Sequence, residues 1–252
     1  MPDNAALSMS SFTSNSSALV IGATGGIGRA LVDTLADAPE FSRVFASGRS
    51  TPVFENPKVQ SLMLDLNDEQ SVQNAVEIAS RDKPLSLVIT ATGLLHADDM
   101  QPEKSWRSID PQTMARSFAV NCTGPALVLK HVLPSLKRGE RSVVASLSAR
   151  VGSIGDNRLG GWYAYRSAKA ALNMMVKTAS IELARVNPAA SVISLHPGTV
   201  DTALSKPFQA NVPDGKLFDR SRAARQLLAV IDATEPSDSG NMLDWRGHTV
   251  QP

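Results

Sequence analysis

The stretch Ser17-Ala-Leu-Val-Ile21-Gly22-Ala-Thr24-Gly25-Gly26-Ile27-Gly28 decides how this chain is read. A short strand-forming run enters a turn with four glycines, and a helical pattern follows to about Ala36. Glycines between a strand and a helix permit a tight reversal, close helix–strand packing and close approach of the backbone to a pyrophosphate. The helix start then offers free N–H groups and a partial positive charge to phosphates. The spacing fits both Gly22xxxGly26xGly28 and Gly22xxGly25xxGly28. A turn selected only for backbone freedom is the alternative, but placement directly after the first strand favours a dinucleotide site.

Working outward, strand-like runs recur at Arg43 to Ala46, Val59 to Leu64, Leu85 to Thr90, Ser142 to Ser146 and Val192 to Leu195. Helical patterns lie between them, at Glu69 to Ser80, Pro111 to Lys137 and Tyr163 to Val186. Continuously apolar strands separated by helices predict an α/β fold: a doubly wound parallel sheet of about seven strands, with helices on both faces in three layers. Residues 1–16 are Ser-rich without apolar period and read as a flexible tail, leaving 17–252 as one domain. The segment 203–219, with two Pro, one Gly and two Phe, is too long for an ordinary connection and reads as a substrate lid, with Phe208 and Phe218 as walls. A surface loop pinned by two aromatics is the alternative.

Composition removes several function classes. The 252 residues carry 25 Lys+Arg and 24 Asp+Glu, a net charge of +1, which gives no basic footprint for nucleic acid or a membrane surface. A single cysteine, Cys122, excludes an intrachain disulfide framework and reads as a packed helix residue. There is no apolar run long enough to span a bilayer, and no Lys or Arg precedes Arg29, so a cytoplasmic protein is expected. His96, His131, His196 and His248 are scattered, so no metal is expected. Trp106, Trp162 and Trp245 read as packing residues.

Tyr165 and Lys169 stand four apart on one predicted helix face. A nearby ammonium favours the phenolate, which would tune the tyrosine for proton transfer near neutral pH, although the pair taken alone reads better as an aromatic residue and a solvated lysine on an exposed helix face. Seventeen residues earlier, Ser148 follows a strand, at the end where open α/β sheets bind ligands. Asn121 lies inside a helix four residues before Pro125, whose missing N–H frees the Asn121 carbonyl; a simple kink following the sheet is the alternative.

The set resembles the short-chain dehydrogenase/reductase family in its compact, Rossmann-type single-domain branch. The likeness covers the chain from Ser17 onward: the Gly22 to Gly28 turn, Asp65-Leu66, Asn121, Ser148, Tyr165xxxLys169 and Pro197-Gly198-Thr-Val200-Asp-Thr202. Gly152-Ser-Ile-Gly-Asp-Asn157 before Trp162-Tyr-Ala-Tyr165 looks most like the C-factor-like carbonyl reductases. The family's usual Asn-Asn-Ala-Gly is here Thr90-Ala-Thr92-Gly93, which keeps the glycine and replaces both asparagines. Counting from the strand places Ser148 at the catalytic serine; counting back from Gly152 would place Ala149 there, and Ser146 is the weaker alternative.

The resemblance implies hydride transfer between a nicotinamide and a carbonyl or alcohol, with Tyr165 as acid/base, Ser148 as hydrogen-bond donor to the carbonyl, Lys169 on the cofactor ribose and Asn121 in a proton relay. Cofactor contacts carried over are Gly22, Thr24, Gly25, Gly26, Ile27, Gly28, Asp65, Leu66, Thr92, Gly93, Pro197, Val200 and Thr202. The second strand ends in Ala46-Ser-Gly48-Arg49-Ser50 without an acid, so Arg49, with Ser47 and Ser50 as neutral donors, predicts NADP(H) over NAD(H). Residues Tyr163 to Val186 include thirteen of 24 that are apolar, more than one core-facing stripe needs, which points to a homodimer or homotetramer. The competing class is a nucleotide-binding regulatory protein that keeps the fold and lacks the chemistry.

Overall fold

A computed structural model describes residues 7–252. The first half comprises β1 (Ser16–Ile21), α1 (Gly26–Asp37), β2 (Phe41–Gly48), β3 (Val59–Met63), α2 (Glu69–Ser80) and β4 (Leu87–Thr90). Next come α3 (Pro111–Phe118), a π-helical turn (Ala119–Thr123), α4 (Gly124–Val132), β5 (Ser142–Leu147), α5 (Tyr163–Val186) and β6 (Ala190–His196). A small pair, β7 (Thr199–Val200) with β8 (Leu217–Phe218), precedes α6 (Arg220–Ala233), β9 (Met242–Asp244) and β10 (Thr249–Val250).

The main sheet runs β10-β9-β6-β5-β4-β1-β2-β3, with every neighbouring pair parallel except β9 and β10. All residues of β1, β4 and β5 are buried, as strands covered on both faces must be. Leu31 and Leu35 of α1 pack with Leu227 and Ile231 of α6 on one face. Val72 of α2, Val128 of α4 and Leu172 and Val176 of α5 pack on the other. The expected three-layer doubly wound sheet is therefore present, with eight strands where about seven were predicted. Strand order reverses between β1 and β4, which opens a crevice at their C-terminal ends.

Two expectations about the chain's course are corrected. The single helix expected over 111–137 is interrupted, because Pro125 has no N–H to continue the α ladder and the Gly124 N–H instead reaches back to the Ala119 carbonyl. The flexible tail is not what residues 7–15 form, while residues 1–6 lie outside the described residues. Met9 and Phe12 are buried in the α1–α6 layer, and the Phe12 ring sits 5.4 Å from Phe41. Ser11 donates from N–H to the Asp232 carboxyl at 3.0 Å, which ties this segment to α6.

Helix starts differ in a way that matters below. α2, α3 and α6 each begin at an aspartate, Asp68, Asp110 or Asp219, whose side chain accepts from a first-turn N–H. α1 begins at Gly25, and α5 at Trp162 with φ 53°, neither with a side-chain cap of its own. Truncating Phe12 to Ala should destabilise the fold by about 3 kcal/mol in urea unfolding with an unchanged slope. A flexible tail would give no change.

Candidate active site

The crevice holds a groove of about 510 Å³ lined by Gly22, Thr24, Gly25, Gly48, Arg49, Asp65, Leu66, Thr92 and Gly93, among others. Gly22 has φ 92°, and a Cβ on Gly28 would overlap the Gly22 carbonyl, so this turn admits α1 only with glycine at both positions. The uncapped N–H groups of α1 are left at the turn, where an anion would sit. Gly26, Ile27, Gly28, Tyr165, Lys169, Pro197, Val200 and Thr202 are outside the lining of this groove. Ile27 packs against the core instead, and Val200 is buried in β7. Thr202 comes over the turn: its Cγ2 lies 3.0 Å from where a Gly26 Cβ would be.

Arg220, which sequence reasoning missed, stands beside the same glycine with its Nε donating to the Asp201 carbonyl at 2.9 Å. Only the fold brings α6 to the turn, so no local signal marks it. Arg49 is exposed, and no acidic side chain pairs with it among the described residues. Ser47 is fully buried and its hydroxyl points to the Val20 carbonyl at 3.4 Å, so it is not the phosphate donor expected of it; Ser50 is exposed. The hydroxyls of Thr90 and Thr92 are buried without a partner. Asn121 does the bracing at this strand end: its Oδ1 accepts from Leu94 N–H at 2.9 Å and its Nδ2 donates to the Leu94 carbonyl at 2.7 Å.

Tyr165 and Lys169 do face together from α5, with Nζ 5.7 Å from the Tyr165 ring centroid. Lys169 is 2% exposed and donates to the Leu147 carbonyl at 2.8 Å, which places it at the end of β5, directly before Ser148. Ser148 is buried and its Oγ has no partner, whereas Ala149 has no hydroxyl to offer. Burial holds the Lys169 ammonium down at about 8. Burial pushes Tyr165 upward, against the expected lowering by Lys169. The reason is geometric: the ammonium points at the Leu147 carbonyl, and desolvation of the phenolate outweighs it. Tyr165 therefore stays a phenol through neutral pH.

An aromatic cluster lies beside Tyr165. The Trp162 ring meets Tyr165 edge-on at 6.4 Å and Phe208 at 5.0 Å, and Phe208 meets His96 at 5.7 Å. Trp162 thus packs between the Tyr165 and Phe208 rings, in keeping with the packing residue expected, and lies outside the lining of the groove. Phe208 lies on the 3₁₀ turn Lys206–Asn211 of the expected lid, which His96 Nε2 approaches through the Ala203 carbonyl at 3.2 Å. Phe218 does not wall the pocket: it is buried in β8 against Trp245 and Gly198 and anchors the lid's base. His196 is pushed down to about 4, chiefly by burial and next by Arg150, and its Nδ1 accepts from the Arg150 N–H at 3.3 Å. It is neutral at physiological pH.

Among the described residues, no three His, Cys, Asp or Glu gather as a metal site, and no helix is long and apolar enough to cross a membrane. The family model for short chain dehydrogenases matches residues 16–213. The chain is 39% identical over 143 residues to the C-signal protein of Myxococcus xanthus, covering 56% of this chain and 80% of that one. It is 31% identical over 189 residues to 1-hydroxy-2-glutathionyl-2-methyl-3-butene dehydrogenase of Rhodococcus sp. (strain AD45), covering 75% and 78%. Its fold matches an NADPH-bound carbonyl reductase from chicken fatty liver with a TM-score of 0.82 at 23% identity, covering 97% and 96%. The chain belongs to the short-chain dehydrogenase family, as an oxidoreductase of the NAD(P)-dependent dehydrogenase/reductase class.

The buried ammonium sets a pH-dependent cost. The unfolded chain keeps this proton up to its ordinary 10.5, while the folded chain releases it near 8. The penalty is thus full below pH 8 and fades as pH rises toward 10.5. Lys169→Met should stabilise the nucleotide-free protein at pH 7 by about 2 kcal/mol, net of the lost Leu147 bond, and by much less at pH 10. Urea unfolding at both pH values measures this.

Proposed function

We propose that this enzyme is an NADP(H)-dependent carbonyl reductase with Tyr165 as its acid/base. The observation that carries the reading is the buried, unpartnered Ser148 hydroxyl next to Leu147, the residue on which Lys169 is anchored. A buried hydroxyl without a partner is costly unless a ligand supplies one. The residues present fit the cofactor: the glycine turn, the uncapped start of α1, the orphan hydroxyl of Thr92 and the unpaired Arg49 all face or border one groove.

Bound there, the nicotinamide supplies or accepts the hydride. Ser148 Oγ–H donates to the substrate carbonyl oxygen, and Tyr165 gives its proton to that oxygen as negative charge develops. The upward shift of Tyr165 suits this direction, since the proton is present at neutral pH. Lys169 would hold the ribose hydroxyls of the cofactor, and Asn121 fixes the loop after β4 through Leu94. Trp162 and Phe208 favour carbonyl substrates with an apolar face. Met174, Met175 and Ile181, exposed on α5, form the surface on which a homodimer or homotetramer would assemble. A nicotinamide enzyme whose one thiol is buried suits the cytoplasm. The likeness to C-signal keeps one second reading, an idle nucleotide-binding signalling protein. Such a protein has no use for the Ser148 orphan.

Tyr165→Phe should bind cofactor normally and lose at least about 100-fold in turnover of an aryl ketone, aldehyde or quinone. Absence of turnover by the unaltered enzyme across that panel would favour the signalling reading. For the cofactor, Arg49→Ala should weaken NADPH by roughly 10- to 150-fold and NADH little, read by fluorescence titration. Equal losses for both would remove Arg49 from phosphate recognition. The NADPH carried by the chicken enzyme supports this preference.

A further inference from the structure

α5 carries Tyr165, yet the residue at its N-terminal cap position, Trp162, has the wrong chemistry for a helix start. Trp162 has no side-chain oxygen to cap the first turn, and its φ of 53° is a left-handed conformation that bulky residues avoid. Such backbone persists only where its surroundings over-determine it. Here the surroundings come from Glu103, fifty-nine positions earlier. Its carbonyl accepts the Trp162 N–H at 2.6 Å, and both its carboxyl oxygens lie 3.3 Å from the Ala164 N–H. Glu103 is 4% exposed and pairs with no basic side chain among the described residues. The same segment closes on Gly161, φ 66°, where a Cβ would come 3.2 Å from the Glu103 carbonyl. From the other side, Arg166 donates to the Gly161 and Val151 carbonyls at 3.0 and 3.1 Å.

We propose that Glu103 is a positioning residue for this site: its carboxyl caps α5 in trans at the Ala164 N–H and, beside its main-chain bond to Trp162, steadies the first turn that carries the Tyr165 hydroxyl and the Trp162 ring. The proposal rests on the reductase reading for its kinetic consequence, but not for its structural one. Without the carboxyl, the α5 start loses the one side-chain cap it has among the described residues, so the first turn, with the Trp162 ring beside Tyr165, is tied only by the Glu103 main-chain carbonyl and loosens. Catalytic geometry is sensitive to displacements of about an ångström.

The test compares Glu103→Ala, Glu103→Gln and Trp162→Ala in two measurements. Near-ultraviolet circular dichroism reads the coupled Trp162, Tyr165 and Phe208 rings whether or not the protein turns over. Glu103→Ala should lose a clear part of that signal, though less than Trp162→Ala, and Glu103→Gln, which keeps an acceptor oxygen, should retain it. In NADPH-dependent reduction of an aryl ketone, Glu103→Ala should lose roughly 10- to 100-fold in kcat/KM with NADPH affinity kept within about threefold. Adding Trp162→Ala to it should cost little more. If alanine prevents folding, Glu103→Asp, which withdraws the carboxyl by one methylene, must still reduce the ring signal. An unchanged ring signal in Glu103→Ala or Glu103→Asp, a glutamine variant as poor as alanine, or parallel loss of NADPH binding overturns the proposal. Absence of turnover by the unaltered enzyme would instead count against the reductase reading, leaving the ring signal to decide on Glu103.

Discussion

The hydrogen bond from Lys169 Nζ to the Leu147 carbonyl joins the middle of the sheet to the helix that bears the chemistry. Both partners are removed from water, and the ammonium has a main-chain carbonyl as its hydrogen-bond partner where a carboxylate would normally stand. Burial without a counter-charge is unfavourable, so the surrounding packing must supply what this contact does not. Leu172, Val176 and Leu183, further along α5, provide it by burying one stripe of the helix against the sheet. The outcome is a strand end and a helix face held in fixed register, with Ser148 on one and Tyr165 on the other.

Around that bond, the site is assembled from ends of elements. β1 and β4 end at the crevice, α1 begins there without a cap, and α5 begins there with a cap borrowed from the loop before α3. Asn121 links the loop after β4 to the π-helical turn through paired bonds to Leu94. Each connection fixes one loop to a rigid element, which is how residues far apart in sequence keep a common geometry.

Much of this was legible before any coordinates, and the reasons are specific. The run from Ser17 to Gly28 announces itself because strand, turn and helix signals fall in one short window. β9 and β10 escape because three and two residues cannot show a period. α6 escapes because its buried face is partly alanine, at Ala223 and Ala224, interleaved with arginines. Met9 and Phe12 look like isolated apolar residues in a polar tract until their partners are known. Of the candidate site, Tyr165, Lys169 and Ser148 follow from the family resemblance, since spacing alone reads as an aromatic residue and a solvated lysine on a helix face. Trp162, Arg220 and Glu103 do not, since the first takes its conformation, and the others their place, from contacts distant in the chain.

The clasp between Ser11 and Asp232 spans 221 positions. At synthesis speeds of roughly 5–20 residues per second, the first partner waits roughly 10–40 s for the second. During that interval Phe12 and the inner face of α1 lack the helix that will cover them. α6 therefore closes over a part of the chain made long before it. A ribosome-bound nascent protein would carry an open apolar seam on this side of the sheet until α6 emerges, a period in which chaperones have something to hold.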